Sequence, residues 1–411
     1  MRKRFLVLLL APLLAAFVAS TAVAAPPSND PNQAAGFAAT WLGAQVNAQG
    51  FIPQAADPNQ PNLSTSAQAV IALESAALGR SQIDKLESYL GAHVDDFVVK
   101  SGSDDAGSLA YLILGAVAAG NDPTSFGPSH VNLVTRLQAT KQSTGLFGAS
   151  DPTFDGAFRQ GLALMALKAA GVTDATATDW LAAQQCADDL WTAYRADTTT
   201  PCPAVDPATF TGPDTNSTAL AVLGLQAQGR TAPAASGASA LQTVRNSGGG
   251  WGFLARSDQA TDANSTGVVM TALRATNGAR DAQGTAALLA LQVGCDGGAD
   301  AGGIAFQDAS TGLVPDALAT AQATPALAGV VLPLAPTNST DAPVMCAAPA
   351  AAEPTTTTTS TATSPTVSGE PLARTGSSTF GETGAAVVLL VGGIALVQAA
   401  QVRRRRHSAR S

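Results

Sequence analysis

The chain has little charge and few aromatic rings: charged residues make up 13% of its 411 residues and aromatic residues 5%. Few aromatics argue against a carbocation-stabilising cavity, because such cavities are lined with aromatic rings. Basic residues number 22 against 30 acidic, a net charge of −8. Nucleic acid and anionic lipid need a basic surface, so neither is an expected partner. With three histidines and no ligand-like cysteine spacing, we predict no metal and no other cofactor.

Residues 1–24 have the order of a signal peptide. Three basic residues at positions 2–4 precede an apolar stretch from Phe5 to Val18, and Ala22-Val23-Ala24 supplies the small residues of a cleavage site. We therefore predict that the protein is exported and that this segment is removed.

The other end of the chain has the features of a membrane anchor. Residues 384–402 are nearly free of polar groups, and the tail 403–411 begins with four arginines. About 20 apolar residues suit a single transmembrane helix, and arginines after it favour a cytoplasmic tail. Residues 350–371, rich in Thr and Pro, are expected to form an extended linker. The body of the protein is thus predicted to face the outside of the cell.

A pentapeptide precedes the apolar run: Leu372, Ala373, Arg374, Thr375 and Gly376. Its order and position resemble the sorting signals of Gram-positive surface proteins, and the Leu-Ala-x-Thr-Gly form is similar to the signal read by class E sortases. This resemblance implies a sortase as partner, cleavage between Thr375 and Gly376, and a covalent link to peptidoglycan. A simple membrane anchor without cleavage is the alternative.

Export also bears on charge and on the cysteines. Eight basic residues and one acidic residue lie in the segments to be removed, which leaves a net charge of about −15. Outside the cell an even number of cysteines predicts disulfides, and four cysteines allow three pairings. We favour Cys186 with Cys202 and Cys295 with Cys346, because each pair closes a local loop rich in Gly, Pro and Asp.

Residues 29–349 contain an internal repeat of two helix types. One type is rich in Ala and Leu, apolar nearly all round, and closes on a glycine; the other lies upstream of it and is more amphipathic. The first type starts near Thr65, Gly107, Phe158, Asn216, Asn264 and, more weakly, Val314. Since helices that are apolar all round are buried, we predict six hairpins with the first type inside and the second outside.

Several connections between the two helix types carry a Gln, then Gly, then an aromatic residue. Gln242 leads to Gly249-Gly250-Trp251, and Gln138 leads to Gly145-Leu146-Phe147. This pattern resembles the QW repeat of the prenyltransferase and squalene-cyclase superfamily. The resemblance implies an all-α (α/α)6 toroid, followed by the linker and the transmembrane helix.

The catalytic groups of that superfamily are missing from the sequence. Class II cyclases use an Asp-x-Asp-Asp motif, and thioester domains use Gly-Cys-x-Glu-Gln; the chain has neither, and residues 294–298 match only the first two positions of the latter. No Asp, Cys and His trio for zinc is apparent. We therefore predict no catalytic residue.

The inner helices of such a toroid run parallel, so their N-termini gather at one mouth, where we place the candidate ligand-binding residues. The alternative interpretation is that the polar candidates are N-caps of the helices and that the aromatic ones are wedges between inner and outer helices. The candidates are Asp104, Asp155, Asp214, Asn216, Asp262, Asn264, Trp251, Phe147 and Phe306.

Three functions are compatible with these features. The leading hypothesis is a wall-anchored, non-catalytic toroid that binds an extracellular ligand such as a corrinoid, an isoprenoid or a glycan. The second is a structural or adhesive wall protein. The third is an enzyme similar to the terpene cyclases, which would need an acid in the cavity, with Asp104 and Asp105 as the first residues to replace.

Overall fold

The structure is a computed structural model that describes residues 25–152, 155–309 and 311–346. The predicted signal peptide, linker, sorting motif, transmembrane helix and basic tail lie outside the described residues. Within the described ranges, no helix combines the length and the apolar character needed to cross a membrane.

Six parallel inner helices build the centre of the molecule, and Ala, Leu and Val make up most of their buried residues. In α9 every residue from Thr215 to Leu225 is buried, as expected of a helix enclosed on all sides. The inner helices are α2 (Leu63–Ser75), α5 (Ala106–Ala118), α7 (Gly156–Ala169), α9 (Thr215–Ala227), α11 (Ala263–Asn277) and α13 (Ala317–Ala328).

Six outer helices surround the inner ones. They are α1 (Pro31–Ala44), α3 (Arg80–Ala92), α6 (Leu133–Ala139), α8 (Ala175–Ala183), α10 (Thr231–Thr243) and α12 (Ala282–Ala290). Each inner helix packs against the next along the chain, and α13 packs against α2, which closes the ring. The predicted all-α toroid of six hairpins is confirmed.

The ends of the inner helices follow local sequence rules. Asn62, Asp105, Asp214, Asp262 and Asp316 each cap one inner helix by accepting a backbone N–H of its first turn. The predicted closing glycines all have positive φ, the left-handed conformation that ends a helix: Gly79, Gly120, Gly171, Gly229 and Gly278.

The described residues also contain short elements that the sequence did not predict. Two hairpins, β1 (Pro53–Gln54) with β2 (Asp57–Pro61) and β3 (Val99–Lys100) with β4 (Ser103–Asp104), precede α2 and α5. A short helix α4 (Val94–Val98) follows α3, and a 3₁₀ turn spans Cys295–Asp300. All lie in connections, so the ring itself is unchanged.

After α13 the chain crosses the end of the ring where the inner helices finish. The carboxylate of Glu74 accepts hydrogen bonds from the hydroxyls of Thr337 and Ser339, and Thr340 donates its N–H to the carbonyl of Ala77. This C-terminal segment, residues 330–346, ends in the Cys295–Cys346 disulfide. The second disulfide joins Cys186 to Cys202, so both favoured pairings are confirmed.

Candidate functional site

The N-termini of the inner helices lie at one end of the ring, which we call the mouth. Backbone hydrogen bonds link these helix starts to the loops of the following repeats in a recurring pattern. The N–H of Ala157 in α7 donates to the carbonyl of Ala193, 2.7 Å away, in the loop before α9. In the same way Thr215 of α9 donates to Phe253 at 2.8 Å. Each bond satisfies a free N–H of a helix start with a carbonyl of the following repeat. These bonds connect the rim of the mouth from one repeat to the next at the starts of α7 and α9.

The inner helices turn one face toward the ring axis. It holds the second and sixth residues after the caps of α2, α5, α9, α11 and α13, and the third and seventh residues after Asp155 of α7. Several of these stay partly exposed although their neighbours are buried. We refer to the solvent-accessible space in front of these residues as the axial depression. The partly exposed members are Ser64, Gly107, Tyr111, Phe158, Val268, Leu318 and Gln322, and the buried ones are Gln68, Leu162, Asn216, Leu220 and Asn264.

Two aromatic candidates lie in the core. Trp251 and Phe147 have no exposed surface, and their backbone N–H groups donate to Thr266 Oγ1 at 3.0 Å and to Gln160 Oε1 at 2.8 Å. Trp251 also donates its indole N–H to the carbonyl of Leu241 at 2.7 Å. Trp251 therefore joins inner helix α11 to outer helix α10, which is the wedge arrangement, whereas Phe147 is bonded to inner helix α7 through its backbone.

The same wedge occurs where the sequence did not point to it. Trp191 donates its N–H to Thr218 Oγ1 at 2.9 Å and its indole N–H to the carbonyl of Leu181 at 2.9 Å. The third aromatic candidate, Phe306, is partly buried, and its carbonyl accepts the N–H of Ala263 at 2.9 Å. A Thr four residues after the helix cap is the signal that would have identified Trp191.

Asp214 and Asp262 are buried helix caps. They are 3% and 2% exposed, and each accepts a 2.6 Å hydrogen bond, from the N–H of Ser217 and of Ser265 respectively. Burial raises the pKa of both carboxyl groups to about 7, although these hydrogen bonds favour the charged form. Neither side chain faces the axis, because the second and sixth residues of α9 and α11 do.

A chain of amides crosses the axial face. Asn264 Nδ2 donates to Gln322 Oε1 at 2.8 Å, and Gln322 Nε2 donates to Gln68 Oε1 at 2.7 Å. Asn264 Oδ1 is buried and has no hydrogen-bond partner among the described residues. Asn216 occupies the equivalent place on α9, where its Oδ1 accepts from the Thr215 hydroxyl at 3.3 Å. The depression thus has an amide edge, of which the sequence had identified Asn216 and Asn264 alone.

Asp104 lies on the rim and is held by an arginine. Arg136 Nε donates to Asp104 Oδ2 at 2.9 Å, and its Nη1 donates to Asp95 Oδ1 at 2.6 Å. These two carboxylates raise the pKa of Arg136, so the guanidinium stays charged. The carboxylate of Asp104 is therefore held in an ion pair with Arg136, which leaves it poorly suited to transfer a proton.

Asp105 and Asp155 form the chemically distinctive part of the mouth. Asp155 begins α7 without using its side chain as a cap, and Asp105 caps α5 through a 2.7 Å bond from the N–H of Ser108. The side chain of Asp155 is half-buried, with 46% of its surface exposed. Burial raises the pKa of Asp155, Arg159 lowers it, and the negative charge of Asp105 raises it further.

Arg159 is the buried neighbour of this pair. Its side chain is 7% exposed, donates to the carbonyl of Ala149 at 3.1 Å, and lies 3.4 Å from Asp155 Oδ2. Gly148 makes room for it, because a Cβ there would lie 2.9 Å from Arg159 Cζ. The sequence had not suggested Arg159, since a buried arginine is recognised only once its neighbours are placed.

Tyr111 lies on the axial face of α5, six residues after its cap Asp105. Its side chain is partly exposed to the depression, while burial raises the pKa of its hydroxyl. An acid of raised pKa, a second carboxylate and a phenol at one opening can move a proton onto a bound molecule and off a water. Among the described residues, no group of three His, Cys, Asp or Glu is arranged to hold a metal ion.

No family model and no curated protein matches the chain. Several solved structures share its ring. They include a protein from Actinoplanes (17% identity, 73% of this chain and 99% of that one, TM-score 0.49) and the α-1,6-mannanase GH76A of Salegentibacter sp. HEL1_6 (12%, 73% and 98%, 0.46). A third is the type II terpene cyclase MstE from Scytonema (14%, 73% and 98%, 0.47). At these identities the likeness concerns the fold alone.

The interpretation of the ring as a non-catalytic ligand carrier is not supported. Solved structures with a similar ring include enzymes, a mannanase and a terpene cyclase, so the fold does not favour a non-catalytic role. The mouth of this ring also holds an acid of raised pKa next to a second carboxylate, which the sequence patterns had not revealed.

Proposed function

We propose that the protein is an exported acid–base hydrolase of glycosidic bonds, with its active site at the mouth of the ring. The observation that carries this proposal is the pair Asp155 and Asp105, in which burial and the neighbouring charge raise the pKa of Asp155. A carboxyl group with a raised pKa keeps its proton to a higher pH and is therefore suited to act as a general acid. No other pair of carboxyl groups on the mouth of the described ring shows this combination.

The roles of the two carboxyl groups follow from their surroundings. Asp155 donates its proton to the leaving-group oxygen as the C–O bond breaks. A water molecule attacks the sugar carbon, and Asp105 accepts the proton that this water releases. The two products are a free alcohol and a new hemiacetal. Asp105 then releases its proton to solvent, and Asp155 regains one from solvent.

The lining of the depression favours a polar substrate over an isoprenoid. Gln322, Gln68 and Asn264 present amides along the axial face, and Asn264 Oδ1 has no partner there among the described residues. Amides and carboxylates pair with sugar hydroxyls, since both donate or accept hydrogen bonds. A cyclase would instead need several aromatic rings facing the cation, and the axial face carries two, Tyr111 and Phe158.

The place of action is the second part of the proposal. A signal peptide, a linker and a sorting motif support export and attachment to peptidoglycan through Thr375. Cell fractions blotted before and after deletion of the host sortase test this step. We expect the protein to move from the wall fraction to the membrane fraction; an unchanged distribution contradicts sortase attachment.

The catalytic proposal is tested by measuring new reducing ends. The purified mature protein is incubated with neutral polysaccharides, namely α-1,6-mannan, amylose, xylan and soluble β-glucan. Asp155→Asn and Asp105→Asn should each lower turnover by about 100-fold or more, the usual effect of losing a general acid or base. Asn caps a helix as well as Asp does, so Asp105→Asn removes the charge and keeps the cap.

A matched control is available at the other end of the ring. Asp30 caps outer helix α1 through a 2.9 Å bond from the N–H of Asn32. Asp30→Asn should therefore leave turnover unchanged. Failure of the wild-type protein to cleave any of the four polymers, or full activity of Asp155→Asn, contradicts the proposal and returns the structural or adhesive role to first place.

A further inference from the structure

A second cavity of about 560 Å³ lies outside the axial depression. One wall is the end of outer helix α8, with Trp180 and Gln184; the other is the loop Tyr194 to Thr198, which runs toward α9. Thr144, Leu146, Ser150 and Ala183 also line it. The cavity is large enough for a few sugar units and plays no part in the acid–base step.

Two aromatic rings form its apolar surface. Trp180 and Tyr194 are nearly parallel, with an interplanar angle of 18° and centroids 6.3 Å apart. Rings in direct contact have centroids about 4.5–7 Å apart, so no third ring fits between these two. A ligand therefore lies along the rings rather than between them. The flat faces of sugar rings present C–H groups that pack on such a surface.

The polar groups of the cavity suit a neutral ligand. The lining carries Asp197, and Tyr194 donates its hydroxyl to Asp151 at 2.9 Å. The one cation of the lining, Arg195, is already bound by the carbonyls of Gln185, Thr198 and Thr200 at 2.6–2.7 Å. An anionic polymer would meet carboxylates here without a free cation in the lining.

Gln184 supplies an amide of fixed orientation. Its Oε1 accepts the backbone N–H of Arg195 at 2.8 Å, and no acceptor for its Nε2 is found in the described part of the chain. An amide held by one end and open at the other is suited to bind a hydroxyl.

The cavity wall is rigid before any ligand binds. The Cys186–Cys202 disulfide closes the loop that carries Tyr194, Arg195 and Asp197. Arg195 then pins the same loop through its carbonyl contacts. A preformed wall lowers the entropy lost on binding.

The cavity adjoins the mouth. A Cβ added to Gly156, the residue after Asp155, would lie 3.3 Å from Tyr194 Cβ. Tyr194 therefore lies next to Gly156, the residue that follows the proposed acid Asp155 in α7. A polymer bound at one place can reach the other.

We propose that this cavity is a binding subsite for a neutral glycan chain, with Trp180 and Tyr194 as its platform and Gln184 and Asp197 as hydroxyl partners. Only the choice of a glycan as the polymer rests on the proposed function. Binding itself does not, since the platform can bind a chain that the mouth does not cleave.

The test uses the mature Asp155→Asn protein, so that binding is measured without turnover. Calorimetric titrations with maltohexaose, cellohexaose, xylohexaose and α-1,6-mannotetraose should reveal at least one ligand. Adding Trp180→Ala should weaken that binding by about tenfold or more. Phe210→Ala, which removes an aromatic ring that is 44% exposed elsewhere, should leave it unchanged.

Tryptophan fluorescence gives a second measurement that needs no change in the cavity. The other three tryptophans, Trp41, Trp191 and Trp251, are 7% exposed or less, whereas Trp180 is partly exposed. The bound oligosaccharide should therefore protect the fluorescence from acrylamide quenching. Absence of binding by all four oligosaccharides, or equal affinity with Trp180→Ala, overturns the proposal. Binding without cleavage by the wild-type protein would overturn the hydrolase and leave the subsite standing.

Discussion

Gly224 of α9 lies directly against Gly161 of α7: a Cβ on Gly224 would lie 2.8 Å from the Cα of Gly161. The two inner helices therefore touch through their backbones at this point. No other residue type allows such a distance, because any side chain on either helix would occupy the contact. Six helices can then close a narrow ring whose axis is open at the mouth.

Gly224→Ala should destabilise the protein by about 1–3 kcal/mol, because the added methyl group forces α7 and α9 apart. The free energy of unfolding from urea titration measures the effect. Gly43→Ala in outer helix α1 is the control, since its nearest foreign atom would lie 3.6 Å from the new Cβ. Equal stability of both variants would contradict a backbone contact between the inner helices.

Thr266→Val should cost about 1–3 kcal/mol of stability. The change keeps the shape but leaves the N–H of fully buried Trp251 without its acceptor, 3.0 Å away in the native protein. Thr266→Ser retains the hydroxyl and should cost clearly less. If Thr266→Val and Thr266→Ser lower the stability equally in thermal unfolding, the hydrogen bond to Trp251 contributes nothing to stability.

Stability should fall as the pH rises from about 4 to about 7. Burial raises the pKa of Asp214, Asp262 and Glu87 to about 7, so the folded state holds protons that the unfolded chain has already released. This contribution is complete below the unfolded pKa and is lost once the pH passes the folded pKa. The melting temperature should thus be higher at pH 5 than at pH 8.

The double variant Asp214→Asn with Asp262→Asn isolates this effect. Asn keeps both caps but has no proton to lose, so the variant should lose most of the difference in melting temperature between pH 5 and pH 8. An unaltered difference would mean that other groups cause the pH dependence. Asp281→Asn serves as a comparison, because the pKa of Asp281 is lowered by its hydrogen bonds to Arg245 and to Gly284.

The alkaline limb of the pH–rate profile should follow the ionisation of Asp155. Arg159 lowers the pKa of this acid, so Arg159→Gln should move the alkaline limb to higher pH. The charge of Asp105 raises the pKa of Asp155, so the alkaline limb of the residual activity of Asp105→Asn should lie at lower pH than in the native protein. Initial rates between pH 4 and pH 9 measure both shifts. A purely structural role of Arg159 would change the rate without moving the limb.

Much of the ring could be predicted from the sequence because the relevant signals are local. Helices that are apolar all round, Asp or Asn at their starts and glycine at their ends are read within about fifteen residues. The connections with a Gln, a Gly and an aromatic residue indicated a toroid, and the positions of the cysteines suggested both disulfides. The hairpin strands were missed because they are as short as two residues.

The candidate site was predicted less well, because the same residue types serve structure and chemistry. Asp214, Asp262 and Asp105 share a cap position, yet two are buried and one borders another carboxyl group. Trp251 and Phe147 matched the repeat motif and were candidates for the ligand site, with a role as wedges as the alternative, and they are core residues. Sequence alone does not distinguish these cases, since exposure depends on which helix lies opposite.

By itself, the sequence determined the six-hairpin ring, the ends of its inner helices and the covalent links between its cysteines. Each of these depends on neighbours in the chain or on a repeated pattern. The tertiary structure alone decided that the charge of Asp105 acts on Asp155, that Arg159 is buried beside Asp155, and that Trp180 aligns with Tyr194. These residues come from separate elements, and a pKa or an aromatic surface arises only when packing sets their distances and removes water.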